Sequence, residues 1–271
     1  MLMLGILLVV GCTKEEVLEA TVGHVKGDVA EMEAKKQFAS LLERARWGEG
    51  KACLELAKCY HDGIGVKADF LGTVTMLAMA DQYGAIKGFD AFIKNLPSND
   101  NTRMVFETLE RPIRGNYDVI DSIADVVVDN GGLEGYVIKS IVKIEKGDSV
   151  NGMKMLEETA EKGCTLADLL LCVASKKSHG SHPDMERLCA LSDSIPFANK
   201  YLGDYYSGRD GAEFINEPLA EKYYLKADKN GCLGKRPARW LINYYARQGI
   251  QIDPREMERL KALSGNLPDE E

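Results

Sequence analysis

The chain has 271 residues, with 42 acidic against 34 basic side chains and a formal charge of −8. That balance argues against nonspecific nucleic-acid binding, which needs basic patches to neutralise phosphates. Hydrophobic residues make up 45% of the chain and are spread along its whole length, which suits an elongated core better than one central core.

The first segment, Leu2 to Val10, is apolar with only Gly5 interrupting it. A membrane-spanning helix needs about 20 such residues, so this run is too short to span, but it has the length of a secretory-signal core. Val9-Val10-Gly11-Cys12 resembles a bacterial lipobox. The resemblance implies a signal peptide over 1–11, cleavage before Cys12 and lipidation of that cysteine. Thr13, where an aspartate would retain the protein, implies the outer membrane of a bacterial cell envelope, facing the periplasm or the surface. Lys14-Glu15-Glu16 resembles the surface-export tag of some bacterial lipoproteins. Acyl chains contribute about 0.8 kcal/mol per buried methylene, so several together anchor firmly. No Lys or Arg precedes Lys14, a departure that a start codon placed slightly late would explain. The alternative is an apolar N-terminal helix packed on the body of an intracellular adaptor.

Residues 12–28, with Gly23 and Gly27, read as a tether. Ala34, Phe38, Leu41 and Ala45 then mark a capping helix over 29–47. From residue 48 a template recurs. Leu56, Ala57, Tyr60, Gly63, Gly65, Val66 and Asp69 lead into a helical run ending at Gly84. Leu202, Gly203, Tyr206 and Gly208 lead into another, Ala220 to Gly231. Leucine to tyrosine is 4 residues in both, and tyrosine to closing glycine is 24 and 25. Between them, Ile120 to Gly131 and Gly152 to Gly163 repeat the second run, and a weaker copy, MERLCALSDS, ends at Ser194. Each run has apolar positions three and four apart, and most close in glycine, which enters a left-handed helix cap without a side-chain clash. Cys53, Leu56, Ala57 and Tyr60 fall at i, i+3, i+4 and i+7, the stripe of the preceding helix. A unit of this kind cannot bury its stripe alone, so neighbours stack. The expected fold is all-α: an α-α superhelix, or solenoid, of about five stacked antiparallel helix pairs over 48–265, with an acidic tail at 266–271.

This template resembles the Sel-one-like repeat family, a branch of the tetratricopeptide-like α-solenoids. Its unit reads A-x-x-x-L-G-x-x-Y-x-x-G-x-G-V-x-x-D, then A-x-x-x-x-x-x-A-A-x-x-G. Ala52, Leu56, Tyr60, Gly63, Gly65, Val66, Asp69, Ala80 and Gly84 match it, with Ala57 at the first glycine and Thr73 at an alanine. Ala198, Leu202, Gly203, Tyr206, Ala220, Ala227 and Gly231 match in the last unit, although SGRDGAEFINEP departs from the usual turn. The resemblance covers roughly residues 48–250 and implies a noncatalytic scaffold that binds a protein or peptide partner in a concave groove. Some cysteine-rich relatives bind or weakly hydrolyse β-lactams and carry a cysteine pair eight residues apart in every repeat. Only Cys164 and Cys172 show that spacing here, which makes this the minor alternative.

Other constellations read as structural. Cys53 and Cys59 lie 6 apart on one helix, roughly 9 Å along its axis, too far to bridge. Most of the six cysteines beyond Cys12 therefore read as small core residues. His179 and His182, with Asp184, would need a converging third ligand, for which Cys189 is a candidate, but C-x-x-C and H-E-x-x-H are absent and they read as a loop rather than a metal site. Ser178, His179 and Asp184 lack a strained nucleophile turn. Gly63-Ile64-Gly65-Val66-Lys67 lacks the phosphate-loop spacing and has helices on both sides, so its glycines serve the turn. The basic stretches RPIR and GKRPAR read as solvated loops. No cofactor site is expected.

Aromatic residues are uneven: seven of 11 tyrosines lie between 201 and 245, with Trp240 among them. Tyr206, Tyr224 and Tyr245 occupy packing slots of the template, and Tyr223 stands where tryptophan is common. Tyr201, Tyr205 and Tyr244 have no role in the repeat and are the candidate groove residues. Tyr205 and Tyr244 precede the template tyrosine in successive units, so their rings are expected side by side, either in ordinary packing between repeats or on the concave face as a peptide- or glycan-binding groove.

Overall fold

A computed structural model describes residues 14–88, 90–110, 115–178, 185–193, 195–208 and 215–265, with backbone alone at 14–28, 173–178 and 197. Among the described residues the chain is helical with no strand. The order is α1 (Lys14–Arg46), α2 (Gly50–Asp62), α3 (Phe70–Gln82), α4 (Asp90–Asn95), α5 (Asn101–Glu110), α6 (Tyr117–Asp129), α7 (Glu134–Glu145), α8 (Ser149–Glu161), α9 (Thr165–Ser178), α10 (Met185–Ala190), a 3-10 turn (Leu191–Asp193), α11 (Pro196–Tyr206), α12 (Glu217–Lys229), α13 (Lys235–Gln248) and α14 (Pro254–Ser264). Short turns join α2 to α3, α7 to α8 and α13 to α14, so each packed pair runs antiparallel.

The repeat glycines do what the template requires. α3, α6, α8 and α12 each end two residues before Gly84, Gly131, Gly163 and Gly231, whose φ angles are 77°, 80°, 86° and 68°. A side chain at these positions would meet the left-handed penalty that glycine escapes. The α2 stripe of Cys53, Leu56, Ala57 and Tyr60 is buried throughout.

Within a pair, one glycine and one tyrosine set the spacing. A Cβ at Gly72 on α3 would strike the Tyr60 ring of α2, and a Cβ at Gly203 on α11 would strike the Tyr224 ring of α12. The two pairs use the same device with the partners exchanged between first and second helix. Thr73, where an alanine is usual, is fully buried and donates its hydroxyl to the Asp69 carbonyl at 2.9 Å.

The stack forms a superhelix whose ends meet. α3 touches both α9 and α11, and α1 touches α12. Leu41 and Ala45 of α1 share one core with Ala227 and Cys232, and Tyr83 packs on the C-terminal core. A side chain at Gly231 would sit 3.1 Å from the Ala45 methyl, so the last repeat closes tightly on the first helix. This return brings the turns after α6, α8 and α12 around a common space.

Three sequence expectations change. α1 is one helix from Lys14, so the described part of the 12–28 tether has helical backbone continuous with the capping helix. GKRPAR is not a loop: Gly234 precedes α13, and Lys235, Arg236 and Pro237 form its first turn, where proline's missing N–H costs no helical bond. The described part of the weak copy, 185–193, is a six-residue helix followed by the 3-10 turn. The signal peptide 1–11, Cys12, residues 111–114, His179, His182, Asp184 and the tail 266–271 lie outside the described residues. No helix among the described residues is long and apolar enough to cross a membrane.

Candidate functional site: a cleft ringed by inter-helix turns

The space enclosed by those turns is a cleft of about 910 Å³. The α2–α3 turn forms one side. Gly63 closes α2 in the left-handed region, and Ile64 N–H reaches back to the Cys59 carbonyl at 3.0 Å. Gly65 lies against the backbone of α1 at Ala34, where any Cβ would collide. Asp69 then accepts from Gly72 N–H at 2.7 Å, capping α3, and from the Thr165 hydroxyl at 2.5 Å, which ties α3 to the start of α9. As expected from the sequence, the glycines between Gly63 and Lys67 serve this turn.

His61, at the end of α2, borders the cleft on another side. Its Nε2 is 3.0 Å from Asp100 Oδ2, its Nδ1 faces Asp62, and its ring meets Phe92 edge-on at 6.3 Å. Ionised carboxylates only accept, so this arrangement calls for both ring nitrogens to donate and favours the imidazolium. Burial pulls the His61 pKa down, but the hydrogen bonds and charges of Asp62 and Asp100 outweigh it and place it above the ordinary value. Asp100 also accepts from Arg103 N–H at 3.2 Å, at the first turn of α5.

Asn99, Asn101, Asn130 and Asn230 line the cleft, and Asn130 donates to Asn101 Oδ1 at 3.1 Å. Tyr60, Phe70 and Val105 supply buried apolar wall. Glu134 opens α7 at the cleft wall and has no ion pair and no hydrogen bond to another residue's side chain among the described residues. Burial pushes its carboxyl above the ordinary value and the charge of Asp69 adds to the rise, while its own backbone N–H and Lys67 pull the other way. No cluster of three His, Cys, Asp or Glu side chains suited to a metal ion occurs among the described residues.

The expected aromatic row takes a different form. Tyr205 and Tyr244 are only 7% and 6% exposed, so neither lines an open groove. Tyr205 packs edge-on to Tyr206, while Tyr244 stacks on Trp240 at 5.1 Å with a 10° interplanar angle. Their burial follows from the packing of their helices: α11 lies against α12 and also touches α3, and Tyr244 of α13 shares a core with Leu260 and Leu263 of α14. Tyr201 is half-buried and borders the core around Leu188 and Leu202. None of the three lines the cleft.

The cysteines behave as core residues. Cys53, Cys59, Cys164, Cys172 and Cys232 are buried free thiols, and Cys189 is half-buried. Burial pushes Cys53 and Cys232 up to about 12 and Cys164 to about 11, far from the reactive thiolate range.

Sequence reasoning missed His61, Asp100 and Glu134, because nothing local marks them. Asn130 and Asn230, each just before a repeat-closing glycine, were visible as a pattern, but their shared cleft depends on the superhelical return. Compared with known proteins, the chain matches no protein-family model and no curated protein.

Proposed function

We propose that the protein is an exported, lipid-anchored helical-repeat scaffold of the Sel-one-like type that binds a protein or peptide segment in the cleft. The observation that carries the reading is the lining itself. Four asparagines line the cleft beside an apolar wall, and beyond the Asn130–Asn101 bond and the bond from Asn230 Nδ2 to the Lys226 carbonyl their carboxamides keep donor and acceptor capacity for a peptide backbone, which needs one of each. Apolar surface with a few placed polar groups is the usual make-up of a recognition site. The repeat spacing supports the family assignment, and the lipobox-like Val9–Cys12 supports the anchor at Cys12 and an outer-membrane location in a bacterial envelope.

Site-specific photo-crosslinking tests the binding site. A photoreactive residue at Asn101 in the cleft is expected to capture a partner that the same residue at Val150, 81% exposed on α8, does not. Equal capture from both positions sinks the cleft as the binding site. Labelling with a radioactive fatty acid tests the anchor, and label retained in Cys12→Ala sinks it.

A further inference from the structure

We infer that the cleft selects a peptide segment carrying a lysine or arginine, whose cationic head pairs with Glu134. This rests on the peptide-binding reading above and names its specificity.

The acidic groups of the cleft divide into spent and unspent. Asp69 already accepts from Gly72 N–H and Thr165, and Asp100 accepts from Arg103 N–H and faces His61. Asp193 pairs with Lys226 at 2.7 Å and is 85% exposed, so its charge is largely screened by water. Glu134 alone combines partial burial with the lack of any ion pair within 4.0 Å among the described residues; its carboxylate takes only its own backbone N–H and the more distant charge of Lys67. A carboxylate partly withdrawn from water without a close counter-charge is costly to keep ionised, and a bound cation reduces that cost.

Lys67 is the cation whose charge acts on Glu134, but it is exposed at the rim, over Gly163, and forms no ion pair within 4.0 Å among the described residues. An anionic ligand is disfavoured. Helix starts at α3, α5, α7 and α9 reach the cleft, yet Asp69, Asp100, Glu134 and Cys164 already take N–H groups of their first turns, and His61 is held by Asp62 and Asp100. The elevated pKa of Glu134 agrees with a desolvated carboxylate awaiting a cation. A metal ion lacks the ligands among the described residues. A flexible ammonium or a guanidinium reaches a recessed carboxylate on its own aliphatic stem, which the apolar wall of Tyr60, Phe70 and Val105 accommodates.

Selection of a phage-displayed library of random nine-residue peptides on the full chain tests this. The expected result is enrichment of Lys or Arg at one fixed position. In a synthetic copy of a selected peptide, norleucine at that position is expected to weaken binding roughly tenfold to a hundredfold. Glu134→Gln, which keeps shape and removes charge, is expected to cause a similar loss and to leave nothing further for norleucine to remove. Enriched peptides with no basic position, or a basic preference that survives Glu134→Gln, overturn the inference while leaving peptide binding intact. No enriched peptide at all, or peptides that bind Asn130→Arg as well as the natural chain, overturn both this inference and the cleft as a peptide site.

Discussion

Arg259 on α14 and Asp228 on α12 form an ion pair at 2.7 Å, with side chains only 2% and 4% exposed. Asp228 also accepts from Arg46 Nη2 of α1 at 2.9 Å, and Arg259 Nη1 donates to the Arg46 carbonyl at 2.6 Å. Glu256 accepts from the same Nη2 of Arg259 at 2.6 Å and from its Nε at 3.0 Å. One buried carboxylate thus joins the first long helix to two of the last three, at the place where the superhelical turn closes.

Removing that carboxylate leaves two arginines, one of them fully buried, without their shared partner. Asp228→Asn is expected to cost about 3–5 kcal/mol, the range for breaking a buried pair from one side. Replacing both partners by apolar residues, Asp228→Leu with Arg259→Met, is expected to cost less, because the two most deeply buried charges go together, while Arg46 keeps Glu43 at 2.9 Å and Glu256 is one-third exposed to water. Urea unfolding of the three proteins checks this. A loss of under about 1 kcal/mol in Asp228→Asn would mean that other contacts hold the ends together.

Gly203 separates packing from helix propensity. In an exposed helix interior, alanine is favoured over glycine by about 1 kcal/mol. At Gly203 the new methyl would overlap the Tyr224 ring, whose hydroxyl is fixed to Asp204 at 2.9 Å and lies 3.0 Å from Ser207 Oγ. Overpacking of this kind costs about 1–3 kcal/mol, so packing is expected to win and Gly203→Ala to be destabilising. Trimming the ring as well, with Tyr224→Leu, is expected to reduce the added penalty of the alanine. A lower melting temperature for Gly203→Ala, and a smaller drop in the Tyr224→Leu background, would bear this out. A rise in the first would show that the helices separate freely.

The local part of the fold was legible because its causes are local. Gly84, Gly131, Gly163 and Gly231 mark left-handed caps by identity alone, and the stripe from Cys53 to Tyr60 repeats with the helical period. The return of the superhelix was not legible. It depends on a small rotation at each packed pair, accumulated until α1 meets α12, and no single residue encodes that sum. Tyr205 and Tyr244 are buried in packing between helices, the other reading that their positions in the repeat allow, while His61, Asp100 and Glu134 line the cleft.

Thiol accessibility tests both the core and the N-terminal reading. Among the cysteines of the described residues, Cys189 alone is half-buried, so it is expected to react fastest with an aromatic disulfide reagent in the native protein. Cys53, Cys164 and Cys232, with pKa values raised by burial, are expected to react only on unfolding. The sequence holds 7 cysteines, so protein from a lipoprotein-processing bacterium is expected to show one fewer thiol than that in denaturant when Cys12 is acylated. A full complement of thiols in that preparation would contradict the anchor. Rapid native reaction of Cys53 would contradict the packing of α2.

His61 makes the joint between α2 and the α4–α5 connection sensitive to pH. The groups around it are Asp62, Asp100 and the Phe92 ring, and the imidazole's folded pKa lies above the ordinary 6.5. A base held protonated by the fold stabilises it fully below pH 6.5, and that stabilisation disappears as pH rises through the folded value. Asp100→Asn removes the charge that His61 Nε2 faces. It is expected to cost about 1–2 kcal/mol at pH 6, the scale of a hydrogen bond to a charged group, and progressively less as pH rises through the folded value and the ring loses its proton. Melting temperatures of the natural chain and Asp100→Asn are therefore expected to converge as pH rises. A gap that stays constant from pH 6 to 9 would show that Asp100 acts only through its cap on Arg103 N–H, without a charged His61.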